Sequence, residues 1–232
     1  VLERQPLLIV SVGPSNAGKT YVLGRYVVPM LLTRPREILE MAPERFDRAL
    51  IADPPTGLHP RGQYPGAVRF RDVAEWRRSA RKPRVCAFEQ ASTDALCRLA
   101  LECRNTVLVL DEFERCLNPA FPLSDGARTI VHAGRQYGVV MCGTMRRLMG
   151  VRKEARSNIQ LGYFGGLREA DDRKYAAATV GVNIRELENI PPPDGVTGAR
   201  VFLEWAPERA SIALIKVENG VRVFLRKLNA AG

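Results

Sequence analysis

The stretch Gly13-Pro14-Ser15-Asn16-Ala17-Gly18-Lys19-Thr20, followed by Tyr21, is built to hold phosphate. Its requirements are physical. Glycines let the backbone curl so that successive N–H groups face phosphate oxygens, and a helix N-terminus adds favourable potential. In such a loop Lys19 reaches the β- and γ-phosphates and the Thr20 hydroxyl ligates Mg²⁺. The context fits as well, because the apolar run Leu7 to Val12 precedes the loop and a helix-forming stretch follows it.

A second constellation stands far downstream, where Thr106-Val107-Leu108-Val109-Leu110 ends in Asp111-Glu112. A carboxylate at a strand end is what phosphoryl chemistry needs to hold Mg²⁺, and Asp111 fills that place. Glu112 is placed to orient the attacking water and take its proton, which assigns catalysis to Glu112 and Lys19. Capping of the following helix is the structural alternative for the same pair. No Asn-Lys-x-Asp guanine-reading motif occurs in the sequence, so ATP and Mg²⁺ are the expected ligands.

Other chemistries are poorly supplied. The chain has two histidines, His59 and His132, and five cysteines (Cys86, Cys97, Cys103, Cys116, Cys142) with no Cys-x-x-Cys pair. Neither a zinc site nor a disulfide framework is favoured, and buried reduced thiols are expected. The net charge of +10 admits a polyanionic partner, with Arg77, Arg78, Arg81, Lys82 and Arg84 forming one basic cluster and Arg146, Arg147, Arg152 and Lys153 another. No apolar run approaches the roughly 20 residues that cross a bilayer, and no secretory pattern opens the sequence, which gives a cytoplasmic expectation.

The elements that must position these residues alternate between apolar β-branched runs and helical stretches, the pattern of a largely parallel, covered sheet. Strands are expected at residues 7–12, 49–52, 67–70, 85–88, 106–110 and 138–144, with helices at 18–32, 94–104 and 127–137. The strand at 49–52 is stopped by Asp53-Pro54-Pro55. Beyond Pro191-Pro192-Pro193 the character changes to alternating strands at 200–205, 212–217 and 221–225, with Asn219-Gly220 as a hairpin turn. A 232-residue chain without a composition shift suits one α/β unit, with residues 1–198 as an ATPase core and residues 199–232 as antiparallel strands packed on it.

With both nucleotide motifs in place, the chain resembles the FtsK/HerA group of DNA-translocating ATPases, and within it the genome-packaging ATPases of tailless, membrane-containing phages and archaeal viruses. The resemblance covers roughly residues 7–190. It extends over Leu50-Ile51-Ala52-Asp53-Pro54, over Gly134-Arg135-Gln136-Tyr137-Gly138 followed by a strand ending Gly143-Thr144-Met145-Arg146, and over Arg156-Ser157-Asn158. It implies a RecA-like P-loop NTPase fold of the additional-strand, catalytic-glutamate type: an α/β fold with a mostly parallel central sheet and, here, a C-terminal antiparallel β-hairpin edge.

The family's function would follow: ATP hydrolysis by a homo-oligomeric ring, usually a hexamer, driving double-stranded DNA without sequence preference into a preformed capsid, beside a portal or membrane vertex protein. A neighbouring subunit supplies an arginine in that family, for which Arg135, then Arg156 and Arg173, are candidates. The segment from Arg147 to Lys153 is the preferred pore-facing one. A departure is that Met145 stands where the family carries a γ-phosphate-sensing Gln, so either Thr144 takes that polar role or sensing is weaker. The competing relatives are zonula occludens toxin-like phage assembly ATPases, which typically carry a transmembrane segment, and plasmid DNA-transfer ATPases, which usually bring further domains.

Overall fold

In the computed structural model, which describes residues 7–40, 42–54, 64, 66–194 and 198–229, one sheet of ten strands organises the chain. The elements run β1 (Leu7–Val12), α1 (Lys19–Val22), a π turn (Leu23–Val27), α2 (Val28–Thr33), α3 (Pro35–Ile38), β2 (Arg48–Ala52), β3 (Val68–Phe70), α4 (Val73–Arg78), β4 (Val85–Phe88), α5 (Thr93–Cys103) and β5 (Thr106–Leu110). They continue with α6 (Phe113–Cys116), α7 (Asp125–Ala133), a 3₁₀ turn (Gly134–Tyr137), β6 (Val139–Met145), a 3₁₀ turn (Leu148–Gly150), α8 (Lys153–Arg156), β7 (Ile159–Phe164), α9 (Ala170–Val180) and α10 (Ile184–Glu188). The last three strands are β8 (Arg200–Ala206), β9 (Ser211–Glu218) and β10 (Val221–Lys227).

The sheet order is β10-β9-β8-β7-β1-β6-β5-β2-β4-β3. From β7 to β3 every neighbouring pair is parallel, whereas β8, β9 and β10 join by antiparallel pairing. This is the expected mostly parallel α/β sheet with an antiparallel C-terminal edge. β6 lies between β1 and β5, so the additional strand separates the phosphate-loop strand from the one that ends in Asp111-Glu112.

β1 and β5 read as continuous apolar runs because both of their faces are covered. Leu8, Val10, Leu108 and Met141 pack towards α5 and α7 through Leu96, Leu99 and Ile130. Leu7, Ile9, Val107 and Val140 pack on the other side against Val22, Leu23, Val27 and Leu31 of the helical run after the phosphate loop. That alternation makes three layers, helix on sheet on helix. Ser92 and Ser124 start α5 and α7 by accepting from the Ala95 and Ala127 N–H groups at 3.2 and 3.3 Å.

The local departures from expectation have causes. The helix expected at 18–32 passes through the π turn, just before Pro29 removes a donor from the hydrogen-bond ladder. The helix expected to reach residue 137 tightens into the 3₁₀ turn and ends at Gly138, whose φ of +66° is left-handed. Cys86, Cys97 and Cys142 are buried free thiols as expected, while Cys103 and Cys116 are only half-buried. His132 is exposed on α7, and His59 lies outside the described residues. Among the described residues no helix is long and apolar enough to cross a membrane, and no group of three or more His, Cys, Asp or Glu side chains is placed to hold a metal.

Candidate active site

The phosphate loop leaves β1 at its C-terminal end and returns into α1. Gly13 has φ of +156° and donates its N–H to the Met145 carbonyl at 3.1 Å, anchoring the loop to the end of β6. A Cβ on Gly13 would come within 2.9 Å of the Ala17 Cβ, so the turn closes on itself only with glycine there. Ala17 donates to Pro14 O at 3.2 Å, and Asn16 and Gly18 both take left-handed φ. Lys19 Nζ folds across the loop to Gly13 O at 2.8 Å and Pro14 O at 2.7 Å. Burial lowers the Lys19 pKa from the usual lysine value, against the opposing attraction of Asp111 and Glu114.

The back of the loop rests on residues the sequence did not single out. Gly165, just beyond β7, donates to Val12 O at 2.9 Å, and a Cβ there would sit 3.0 Å from the Ala17 Cβ. β7 itself was not anticipated, because Gln160 and Gly162 interrupt its apolar run even though the whole strand is buried. The Gly165-Gly166 pair after that run was the available signal.

Strand register brings the second constellation to the loop. Ser11 is paired with Thr144 and Leu110 with Gly143, so Thr144 stands between the loop and Asp111. Its Oγ1 donates to Asp111 Oδ1 and accepts from the Glu112 N–H at 3.1 Å. Glu112 has φ of +51°, uncommon for a side chain of this kind, in the turn that leaves β5. It occupies the N-cap position of α6 but its side chain makes no cap hydrogen bond, so helix capping does not account for it. Phe113 packs over Gly143, where a Cβ would lie 2.3 Å from the Phe113 Cγ. Arg146 extends its guanidinium to within 3.6 Å of Glu112 Oε1.

Met145 is buried, and its carbonyl serves the loop while the hydroxyl beside Asp111 belongs to Thr144. The polar position at this strand end is therefore Thr144. The loop residues Pro14 to Tyr21, together with Asp111, Glu112, Thr144 and Arg146, line one cleft of about 1490 Å³. Leu187, Ile190, Pro191, Pro192, Pro193 and Arg200, which the sequence did not mark for this purpose, also line it.

The candidate arginines fall elsewhere. Arg135 lies in the 3₁₀ turn before β6, while Thr144 is near the end of that strand, about 20 Å away at some 3.3 Å per residue. It does not join its own chain's cleft. Arg156 stacks 5.2 Å from the Tyr175 ring and donates to its hydroxyl. Arg173 donates to the Leu167 and Arg168 carbonyls at 3.1 and 2.5 Å and pairs with Glu188 at 3.5 Å, which ties α9 to its surroundings.

The basic clusters also divide. Arg77 pairs with Glu102 at 2.7 Å, and Lys82 caps the end of α4 by donating to Trp76 O and Ser79 O at 2.5 and 2.6 Å. Arg84 donates to the Leu32 and Phe46 carbonyls. In the second cluster Arg147 pairs with Glu169 and Asp172, and Arg152 donates to Phe121 O. Arg78, Arg81 and Lys153 are the exposed remainder.

No protein-family model matches the chain, and no curated protein matches it. Among solved structures it is similar to the genome packaging NTPase B204 of Sulfolobus turreted icosahedral virus 2 in complex with ATPγS, with a TM-score of 0.67 at 13% identity, covering 90% of this chain and 96% of that one. The complex of the same protein with AMP gives 0.65 at 13% identity over 90% and 96%. B204, the DNA-packaging ATPase of Sulfolobus turreted icosahedral virus, gives 0.59 at 12% identity over 89% and 95%. The shared feature is the fold, extending over nearly the whole of both chains.

Proposed function

We propose that the chain is an ATPase whose hydrolysis moves double-stranded DNA, acting as the packaging motor of a viral genome. The observation that carries the reading is the convergence, at the ends of β1, β6 and β5, of the phosphate loop, Thr144 and the Asp111-Glu112 pair. The fold shared with the viral packaging NTPases supports the same reading.

The residues present fit Mg²⁺-ATP. Gly13 and Gly18 let the loop close tightly against Ala17 and Arg200, and Lys19 is a half-buried cation that feels the charges of Asp111 and Glu114. Thr20 and Asp111 supply hard oxygen donors of the kind Mg²⁺ takes. The loop N–H groups and Lys19 bind the phosphates, with Tyr21 at the end of the binding segment. Thr144 fixes the Asp111 carboxylate and the Glu112 backbone together, so that Glu112 accepts the proton of the attacking water from a set position. When bound, Mg²⁺ supplies charge neutralisation at the phosphate oxygens.

Hydrolysis in this scheme takes place in a homo-oligomeric ring, a hexamer by the family resemblance, with Arg135 reaching a neighbour's cleft. Arg135 does not line its own cleft, so a role for it in hydrolysis would be exerted on a neighbour. Exposed Arg78, Arg81 and Lys153 contribute to sequence-independent phosphate contacts along DNA. A portal or membrane vertex protein would complete the assembly.

The test combines two measurements on the purified protein. Mg²⁺-dependent ATP hydrolysis is expected to rise when unrelated duplex sequences are added at low salt and to vanish in the Lys19→Ala variant, while Glu112→Gln retains bound ATP. A protein that binds ATP but turns over none with or without DNA, in any oligomeric state, is not this motor. Binding confined to one DNA sequence would likewise rule out translocation.

A further inference from the structure

The antiparallel strands do more than extend the sheet. β8 pairs with β7 in the opposite direction, with Phe164 against Leu203, so the beginning of β8 overhangs the edge where β1 releases the phosphate loop. Arg200, the first residue of β8, lies there. Its side chain covers the loop so closely that a Cβ on Gly18 would be 2.8 Å from Arg200 Cδ and 3.2 Å from Nε. Its guanidinium lies 5.5 Å from the centre of the Tyr21 ring. Nη1 is held by the Gly198 and Ala199 carbonyls at 2.7 and 3.1 Å, which fixes the direction of the fork. Nε is buried and finds no acceptor among the described residues.

The electrostatics of this placement need an anion. Arg200 stands at the positive end of the helical run that begins with Lys19, next to a cation that already faces the loop interior. Among the described residues no carboxylate pairs with it. A fixed guanidinium beside a helix start, with an unused buried N–H, is arranged for an oxyanion. Lys19 occupies the inner side of the loop, and Arg200 flanks Gly18 and Tyr21 on the outer side, towards the apolar wall of Leu187, Ile190 and Pro191 that suits a nucleobase.

We propose that Arg200 is a nucleotide-binding residue contributed by the C-terminal strands, and that it recognises the phosphate nearest the nucleoside. This rests on reading the cleft as an ATP site. The same contact ties the nucleotide to the C-terminal hairpin, because the Tyr21 hydroxyl under Arg200 accepts from the Asn219 N–H at 3.0 Å in the turn between β9 and β10.

Calorimetric titration of the full chain with ADP, inorganic pyrophosphate and adenosine tests this. Wild-type protein is expected to bind ADP and Lys19→Ala to lose it; absence of wild-type binding would sink the ATP reading and this proposal with it. With that binding in hand, Arg200→Gln is expected to weaken ADP about tenfold, the range of a lost charge-assisted hydrogen bond. Pyrophosphate, held by the loop and Lys19, should stay within about twofold of wild type. An ADP affinity unchanged by Arg200→Gln overturns the proposal while leaving the ATP site intact. Equal losses for ADP and pyrophosphate, or for ADP and adenosine, overturn it too, since they report a damaged loop or base stacking. Should Arg200→Gln fail to fold, Arg200→Lys keeps the aliphatic cover over Gly18 and still loses the planar fork. It is expected to weaken ADP about fivefold, with the same outcomes deciding.

Discussion

Asp53 and Asp111 occupy equivalent places on neighbouring strands and have different surroundings. Each follows an apolar run at the C-terminal end of a parallel strand, and Ala52 is in register with Leu110, so the two residues emerge side by side. Asp53 is 1% exposed and closed off: Arg69 donates to its Oδ2 at 2.8 Å and to its carbonyl at 2.7 Å, and the Tyr64 N–H donates to Oδ2 at 3.3 Å. The same guanidinium reaches Glu89 at 2.8 Å, so strands β2, β3 and β4 are stitched at one edge. Asp111 instead meets the Thr144 hydroxyl, and it lines the cleft with Glu112 beside the phosphate loop. A strand-end aspartate becomes a brace when a guanidinium saturates it inside the protein. Asp111 differs in meeting a hydroxyl where Asp53 meets a guanidinium, and in lining a cleft.

The comparison is broken most directly by exchanging consequences. Asp111→Asn should reduce Mg²⁺-dependent hydrolysis by about a thousandfold while moving the melting temperature by no more than about 2 °C. Asp53→Asn should do the reverse. It leaves the Arg69 charge short of its partner in a mostly buried position, a loss of about 2–3 kcal/mol after allowing for the 23% exposure of Arg69. That lowers the melting temperature by about 4–12 °C for a domain of this size. Turnover per folded molecule should stay within about threefold. If Asp53→Asn abolished hydrolysis without changing the melting curve, the two aspartates would not differ as described.

Much of this contrast was invisible in sequence. Leu50-Ile51-Ala52-Asp53 and Leu108-Val109-Leu110-Asp111 look alike as strings, and only the Glu after Asp111 hints at a difference. The parallel strands β1, β2, β5 and β6 were legible because burial on both faces forces uninterrupted apolar runs, and the loop was legible because few backbones other than Gly-rich ones can close it. β7 was not, since a buried Gln160 and a Gly162 pressed against Phe164 and Trp205 break the run for reasons that exist only after packing. α9 escaped for a related reason: acidic and basic residues crowd its first turns, and its buried side is made of Ala176, Ala177 and Val180. The partners of the basic clusters were equally hidden. Arg147 and Arg77 look unpaired in sequence because Glu169, Asp172 and Glu102 reach them only through the fold.

A smaller effect sharpens the reading of Thr144. Its single hydroxyl joins the Asp111 carboxylate to the Glu112 backbone, so Thr144→Val removes the link without changing side-chain shape. The variant should lower kcat about tenfold with KM for ATP nearly constant, the signature of an interaction that matters during reaction more than in binding. Thr144→Ser should restore most of the rate. Should the Val variant keep the rate and the Ser variant lose it, Thr144 acts by packing and the polar position at the end of β6 has some other occupant.

The smallest effect concerns Arg146, which faces Glu112 across 3.6 Å with its own side chain 65% exposed. An exposed pair at that separation contributes little to stability, so Arg146→Ala should melt with the wild type. If the pair limits where the Glu112 carboxylate points, the variant should hydrolyse ATP about threefold more slowly at low salt. Because salt screens exposed pairs, the wild type should itself slow towards the variant as ionic strength rises from about 0.05 M to about 0.5 M, closing the gap between them. A ratio that stays constant across that range would assign the effect to contacts of the Arg146 side chain other than Glu112. The salt dependence thus separates a positioning charge from a structural one at the same residue, the distinction that Asp53 and Asp111 display on adjacent strands.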